Sequence, residues 1–427
     1  MKSIPRTIAK KIHDILVPRG VDDLFPEIAF SLYAFVTLLY RTVRGTKTPI
    51  WFISREGQPL MRLYEMYRGG EGDPSPRYLE VSRRSTFLPS LGPLHSESFE
   101  RLFRQYWAIS VWDFLASLGL ERHAVSLQDI IGLDEKAMRQ RVGHLPSSSL
   151  FRQLIQSRDF QCLFEEQRAI QRKALLDYLA TFYDGGLPEE AVVVDVGWKG
   201  TIQDNLFALF SQEGGGPRCI KGYYVGLIES GYSQEKNIKA GLLFSCIGHT
   251  SRYFPTFNES RALFEVLLAA DHASVSAYEC LPSGRAQPIR AAFEEQSMVS
   301  DHVVPIQSRF FRRFSELCEV AGTEEWPVEA IIAMASEFHA RMVFRPSKAE
   351  RQWFSNIFHV ENFGVFERSC FSSDGNGQGL GERVRFVAGL SRRSNRLNLG
   401  FWPYLTVYEK GGPLPAFVYG LVRRLQS

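Results

Sequence analysis

Ala191-Val-Val-Val-Asp-Val-Gly-Trp-Lys-Gly-Thr-Ile-Gln-Asp-Asn-Leu206 is a β-branched apolar run that ends on a carboxylate, turns through two glycines and enters an amphipathic helix. Three consecutive valines suit a strand buried on both faces, as parallel sheets require. Such sheets bind ligands beyond the carboxyl ends of their strands, where Asp195 would sit. Gly197 and Gly200 let the chain turn sharply, and a helix starting near Thr201 would aim unsatisfied N–H groups at an anion. A plain strand-to-helix connection with an exposed Asp195 is the other reading of the same residues.

Working outward, Pro49 to Ser54 reads as a buried strand, and Gln58 to Arg68 has helical spacing through Leu60, Leu63, Tyr64 and Tyr67. Tyr78 to Val81 is a short second strand. From about Ser96 to Tyr183 the periods are helical, with Leu163, Ile170, Leu175, Leu179 and Phe182 marking one face of a helix that Gly185-Gly186 would stop. Strands resume at Ala191–Val196, Ile220–Leu227 and Ala240–Phe244. About five strands interleaved with helices predict an α/β, Rossmann-like fold with a mainly parallel sheet and a helical insertion at about 96–183. A further helix is expected from Ser260 to Ala270, and Pro282 to Pro288 looks like a boundary. Beyond it, Arg309–Ala321, Val328–Val343 and Lys348–Phe358 predict a mostly helical C-terminal region, 281–427. It carries a glycine-rich loop, Ser372 to Gly381, and a basic aromatic tail.

The 427 residues exceed the usual size of a single core, and the net charge of +3 gives no general reason to expect nucleic-acid binding. Charge is uneven, however. From Arg383 to Ser427 eight basic residues stand against Glu409 alone, which makes that stretch +7 and the remainder −4. This end could face phosphates or an anionic membrane surface, or form a solvated basic rim. Peripheral attachment could use the Lys10-Lys11 helix or the Phe401-Trp402-Pro403-Tyr404 segment near Arg423-Arg424. The longest uncharged apolar run, Ile28 to Tyr40, is 13 residues, too short to span a bilayer and better read as a core helix. The N-terminus shows no signal-peptide pattern, and six scattered cysteines without a CxxC pair fit a reducing cytoplasm.

Familiar catalytic devices are absent: no P-loop lysine pattern, no GxGxxG after a strand, no HExxH and no GxSxG. The nine histidines form no i, i+4 pair, so no metal site is assigned. Three turns remain that a parallel sheet would bring to one edge. Ser54-Arg55-Glu56-Gly57 places a charged pair at a strand end, with Gly57 permitting close backbone approach. Arg83 and Arg84 follow the second strand and offer guanidinium forks suited to phosphate. Asp195 to Gln203 supplies a carboxylate, Trp198, Lys199 and the Gly200-Thr201 helix start. These residues compose a site for a phosphorylated ligand, with Asp195 or Glu56 for acid–base work or nucleophilic attack. Alternatively, Arg55, Arg83 or Arg84 simply neutralises Asp195 and Glu56.

At these positions the chain resembles bacterial predicted hydrolases of the haloacid dehalogenase superfamily, associated with capsule and other surface-polysaccharide loci. Their downstream module carries the blocks F-L-S/A-R-D-G, Y-L-x-V-S-R-R, D-x-G-W-x-G-T-x-Q-x-x-L and G-Y-Y-x-G-L, then a Glu before an x-S-x-x-x-Y segment. Here these stand as Phe52 to Gly57, Tyr78 to Arg84, Asp195 to Leu206, Gly222 to Leu227, and Glu265 with Ser274 to Tyr278. The likeness covers roughly residues 25 to 280. Glu56 replaces the Asp of the first block, and the Asp-x-Asp pair of haloacid dehalogenase phosphatases is represented by Asp195-Val-Gly197, without its second carboxylate. Phosphoribosyltransferases are also similar in layout, although they use two adjacent acids and the opposite order of Gly and Thr.

The resemblance implies a cytoplasmic enzyme of surface-polysaccharide assembly, at the inner membrane face if it is peripheral. It would transfer a glycosyl or phosphoryl group from a phosphorylated or nucleotide-activated sugar. Arg83, Arg84, Lys199 and the Gly200-Thr201 turn would hold phosphate, and Trp198 would stack on a sugar or base or else pack between sheet and helix. A metal-dependent phosphohydrolase using Mg2+ and a non-catalytic scaffold of the polysaccharide machinery are the alternatives.

Overall fold

The computed structural model describes residues 4–426 except 71, 183–186, 213–215, 230–234, 283, 323–324, 371–379 and 392–398. The Gly185-Gly186 stop, most of the glycine-rich run and Arg392, Arg393 and Arg396 of the basic tail therefore lie outside the described residues. Helices α1 (Arg6–Leu16) and α2 (Ile28–Val43) precede β1 (Ile50–Ile53), α3 (Gly57–Tyr67), β2 (Pro76–Leu79) and α4 (Arg83–Ser90). A helical insertion ends in the long α5 (Arg158–Ala180), after which come β3 (Glu190–Asp195), α6 (Thr201–Gln212), β4 (Cys219–Leu227) and β5 (Asn237–Ser245). Past α7 (Arg261–Leu267), a hairpin of β6 (Val275–Cys280) and β7 (Ala286–Arg290) leads to α8 (Val304–Ala321), α9 (Val328–Phe344) and α10 (Lys348–Ser355). A second hairpin, β8 (Phe358–Phe363) and β9 (Val365–Cys370), and the helices α11 (Pro403–Gly411) and α12 (Pro413–Leu425) complete these elements.

The fold is α/β and Rossmann-like: five parallel strands in the order β2-β1-β3-β4-β5. Alternation along the strands divides the core into layers, because successive side chains point to opposite faces. Ile50 and Phe52 of β1 and Val192 and Val194 of β3 pack on the side of α2, α3, α8 and α9. Trp51, Ile53, Ala191 and Val193 pack on the other side against α5 and α6. Each such apolar side chain contributes up to about 2 kcal/mol by leaving water, which suffices to fix the register of strands this short. Because β1 connects to β2 on one side and β3 continues to β4 on the other, the winding reverses between β1 and β3. Ligands of open α/β sheets bind at that crevice.

Helix α2 is buried on nearly every side, as its uniformly apolar sequence requires. No helix among the described residues is long and apolar enough to cross a membrane.

Several expectations need correction. Ile170 is not on the buried face of α5 but exposed, because five residues of helix turn it about 140° from the buried Leu175. Pro282 to Pro288 is no boundary but the turn and return strand of the β6–β7 hairpin. Residues past 281 supply two more strands, β8 and β9, and the helices α8, α9 and α11 share one core with the sheet. In the aromatic segment Trp402 is 1% exposed and Tyr404 8%, so both are core residues rather than a membrane anchor.

Candidate functional site

Three strand ends meet at the switch point and enclose a cavity of about 280 Å3. From β1 come Ser54, Arg55 and Glu56, and from β2 come Ser82 and Arg83. The β3 turn contributes Asp195 through Ile202. Helix α7 adds Arg261 and Glu265, and the β8–β9 hairpin adds His359 and Val360.

The β3 turn is held in place by backbone and side-chain bonds. Gly226 N–H donates to Val196 O (3.2 Å) and Ile228 N–H to Trp198 O (3.0 Å), extending the pairing with β4 beyond the strand. Gly197, at φ +141°, must be glycine, because a Cβ there would lie 2.4 Å from Gly226 O. Lys239, its ammonium buried, donates to Lys199 O (3.1 Å) and pairs with Asp204 (2.7 Å), clamping the turn onto α6. The first N–H groups of α6, from Thr201 onward, have no acceptor within the helix and sit at the cavity wall. Helix α4 differs, since Ser82 and Ser85 cap it reciprocally (3.0 and 2.9 Å).

Asp195 is 9% exposed, and its Oδ1 accepts from Val196 N–H (2.7 Å). Burial, with Glu56 and Glu265 adding repulsion, pushes its carboxyl well above the ordinary range, against a smaller pull from Arg83. Burial likewise raises Glu265, whose Oε1 accepts from Trp198 Nε1 (2.8 Å). Arg261 lies one helical turn before Glu265 on the same face, its guanidinium 5.6 Å from the Trp198 ring centroid. Burial lowers the pKa of Arg261, and Glu265 only partly offsets this. Trp198 is thus embedded, with one edge on Glu265, a guanidinium over its ring, and Phe244 and Phe264 beside it at 5.7 and 6.3 Å.

Arg55 is 7% exposed and pairs with Glu295, a residue from the loop after β7. Glu295 also accepts from Val360 N–H (3.0 Å) and lies 3.2 Å from His359 Nδ1. Burial alone would raise this carboxyl, but His359 and Arg55 hold it down to about 2. His359, which burial would lower, is instead raised by its bond to Glu295 and by the charge of Glu265. This knot pins the β8–β9 hairpin over the cavity, and the hairpin's Phe363 packs into the core of the insertion. The turns bearing Arg55 and Trp198 each contain a cis peptide bond, Ser54–Arg55 and Gly197–Trp198.

Of the residues singled out in the sequence, Arg55, Glu56, Arg83, Asp195, Trp198, Lys199, Gly200, Thr201 and Glu265 line this cavity. Three others do not. Arg84 points the opposite way and pairs with Glu121, because successive residues at the start of α4 face about 100° apart. Gln203 is wholly buried and bonds Asn237 Oδ1 (2.7 Å), Ile238 O (3.0 Å) and Tyr224 Oη (2.7 Å), tying α6 to β4 and β5. Gly57 does allow close approach, but of β1: a Cβ there would lie 2.8 Å from the Phe52 carbonyl carbon. Lys199 pairs with Glu229 (2.9 Å), which does not itself line the cavity.

Arg261, His359 and Glu295 were not found by sequence reasoning. Arg261 could have been, being four residues before Glu265 on a predicted helix. Glu295 and His359 carry no local signal.

Among the described residues no group of three or more His, Cys, Asp or Glu side chains is arranged to hold a metal ion. The place of a second carboxylate is taken by Gly197, whose Cα abuts β4. The donor set does not fit a resident Mg2+, and no step through one is derived. No protein-family model matches the chain, and no curated protein matches it significantly.

Proposed function

We propose that the chain is an enzyme of bacterial surface-polysaccharide assembly that binds a phosphorylated sugar and transfers its glycosyl or phosphoryl group. The observation that carries this reading is the cavity at the switch point, where Arg83, Arg261 and the first turn of α6 share one small space with Asp195, Glu56 and Glu265. Arg261 and the N-terminus of α6 hold the phosphate, with Arg83 beside them. Arg55 is committed to Glu295 and shapes the wall instead. Asp195, whose burial and two carboxylate neighbours make it hold a proton more tightly than an ordinary carboxyl, donates that proton to the departing oxygen. Glu56, half-buried at the mouth, takes the proton from the acceptor hydroxyl. Glu265, fixed by Trp198, accepts hydrogen bonds from sugar hydroxyls. A cavity of about 280 Å3 is near the lower bound of about 300 Å3 for small-molecule sites and favours a sugar phosphate over a nucleotide sugar, whose base would extend outside.

A thermal-shift panel tests the reading. Sugar phosphates should raise the melting temperature, since a ligand selective for the folded state stabilises it. Asp195→Asn should retain that shift but lose transfer of the radiolabelled group to an acceptor glycan. No shift with any sugar phosphate or nucleotide sugar would refute the proposal.

A further inference from the structure

Helix α12 is built inside out. A helix resting on a protein normally turns its large apolar side chains inward and its polar ones to water. In α12 the two fully buried residues are small: Ala416 and Gly420, and a Cβ on Gly420 would lie 3.4 Å from the Tyr404 ring and 3.5 Å from Phe344 Cβ. The outward residues are large. Leu414, Phe417, Val418, Leu421, Val422 and Leu425 are between 43% and 87% exposed, at a helical spacing that gathers them into one stripe.

Charge on this helix has one sign. Helix α12 contains no acidic residue, and its exposed Arg424 closes the stripe. The helix Leu380–Ser391 packs beside α11, with Val387 Cγ2 3.4 Å from a Cβ built on Gly411, and exposes Arg383, Val384 and Arg385 after a single acid, Glu382. Helix α12 is also firmly mounted. Buried Glu259 accepts from Tyr404 N–H (2.8 Å), from Tyr419 Oη (3.2 Å) and from Arg423 Nε (3.3 Å), so the body holds α12 by its inner edge.

We propose that α12 is a membrane-docking helix that lies in the plane of an anionic bilayer, its Leu/Phe/Val stripe in the headgroup–acyl boundary and Arg424 against lipid phosphates. An apolar face edged by Arg424 and carrying no carboxylate of its own matches an anionic lipid surface in both respects. A second copy of the chain fits less well. It would bury the stripe beside Arg424 with no carboxylate on either α12 to pair with that charge. This assignment does not depend on the chemistry of the cavity.

Co-sedimentation of the full chain with vesicles tests it. Vesicles of phosphatidylcholine with phosphatidylglycerol should capture the protein, and phosphatidylcholine alone should capture it about tenfold less well. The double variant Phe417→Asp, Leu421→Asp, altered only at exposed positions, should lower binding by at least about tenfold while keeping its circular dichroism and melting temperature. Arg424→Glu, which leaves the stripe intact, should lower it by about fivefold or more and weaken the salt dependence. Absence of binding to anionic vesicles, or binding unchanged in both variants, overturns the proposal. So does a wild-type dimer in sedimentation velocity that the double variant makes monomeric without any vesicle binding by either.

Discussion

Replacing Glu295 by glutamine removes the charge on which the wall of the cavity is assembled. In the folded protein this carboxyl is held at about 2, against an ordinary 4.5, because the His359 and Arg55 charges outweigh burial. The difference corresponds to about 3 kcal/mol at about 1.4 kcal/mol per pH unit, and a cost of about 3–5 kcal/mol is usual when one partner of a buried pair is removed. The sign follows from linkage. A carboxyl whose folded pKa is depressed adds stability that is complete above 4.5 and disappears as pH falls toward 2. The substituted amide could still accept from Val360 N–H, but Arg55, 7% exposed, would be left without its counter-charge. Urea unfolding at pH 7 should therefore place Glu295→Gln about 3 kcal/mol below the wild type. At pH 3 the gap should shrink by more than half. The His359 imidazole, read by NMR, should also titrate at lower pH in the variant. Equal midpoints at pH 7, or a gap of constant size at both pH values, would show that Glu295 is not the centre of this knot.

Two other predictions concern residues outside the cavity. Gln203→Leu should destabilise the fold by about 2–3 kcal/mol, because it removes the buried amide that bonds the Tyr224 hydroxyl, Asn237 Oδ1 and the Ile238 carbonyl. The ligand-induced thermal shift should survive, and its loss would return Gln203 to the binding site. Glu259 has the opposite linkage to Glu295. Burial, only partly countered by Arg423, raises its carboxyl from 4.5 to about 7, so its contribution falls as pH rises through that interval. Wild-type stability should drop by about 2–3 kcal/mol from this group between about pH 5 and 8, and Glu259→Gln should abolish that part of the slope. A variant with the wild-type pH profile would contradict it.

The parallel sheet was legible because β1 and β3 are short apolar runs that need burial on both faces and end at turns signalled by glycine. Asp195, Gly197, Gly200 and Thr201 follow from that single strand-turn-helix unit, so their shared position at the sheet edge could be read locally. Arg84 and Gln203 show the limit of such reading. Each lies within one or two residues of a cavity residue, yet helical rotation sends it elsewhere, and a motif alone does not fix that rotation. Glu295 and His359 were invisible for another reason. They reach the site from a loop and a hairpin far beyond β3 in the chain, and only the tertiary fold brings them to Arg55. The aromatic tail misled because Trp402 and Tyr404 look amphipathic in sequence. The stripe of α12 depends on which face packs against Phe344 and Tyr404, a matter of docking rather than of composition.

The central claim is that the cavity between β1 and β3 receives a phosphorylated sugar through Arg261. Isothermal titration calorimetry with glucose 1-phosphate at pH 7, on the wild type, Arg261→Ala and Arg84→Ala, tests it most directly. One binding site in the wild type, weakened at least about tenfold by loss of a charge-assisted phosphate contact in Arg261→Ala and unchanged in Arg84→Ala, is the predicted result. No heat of binding, or equal losses in the two variants, would contradict it.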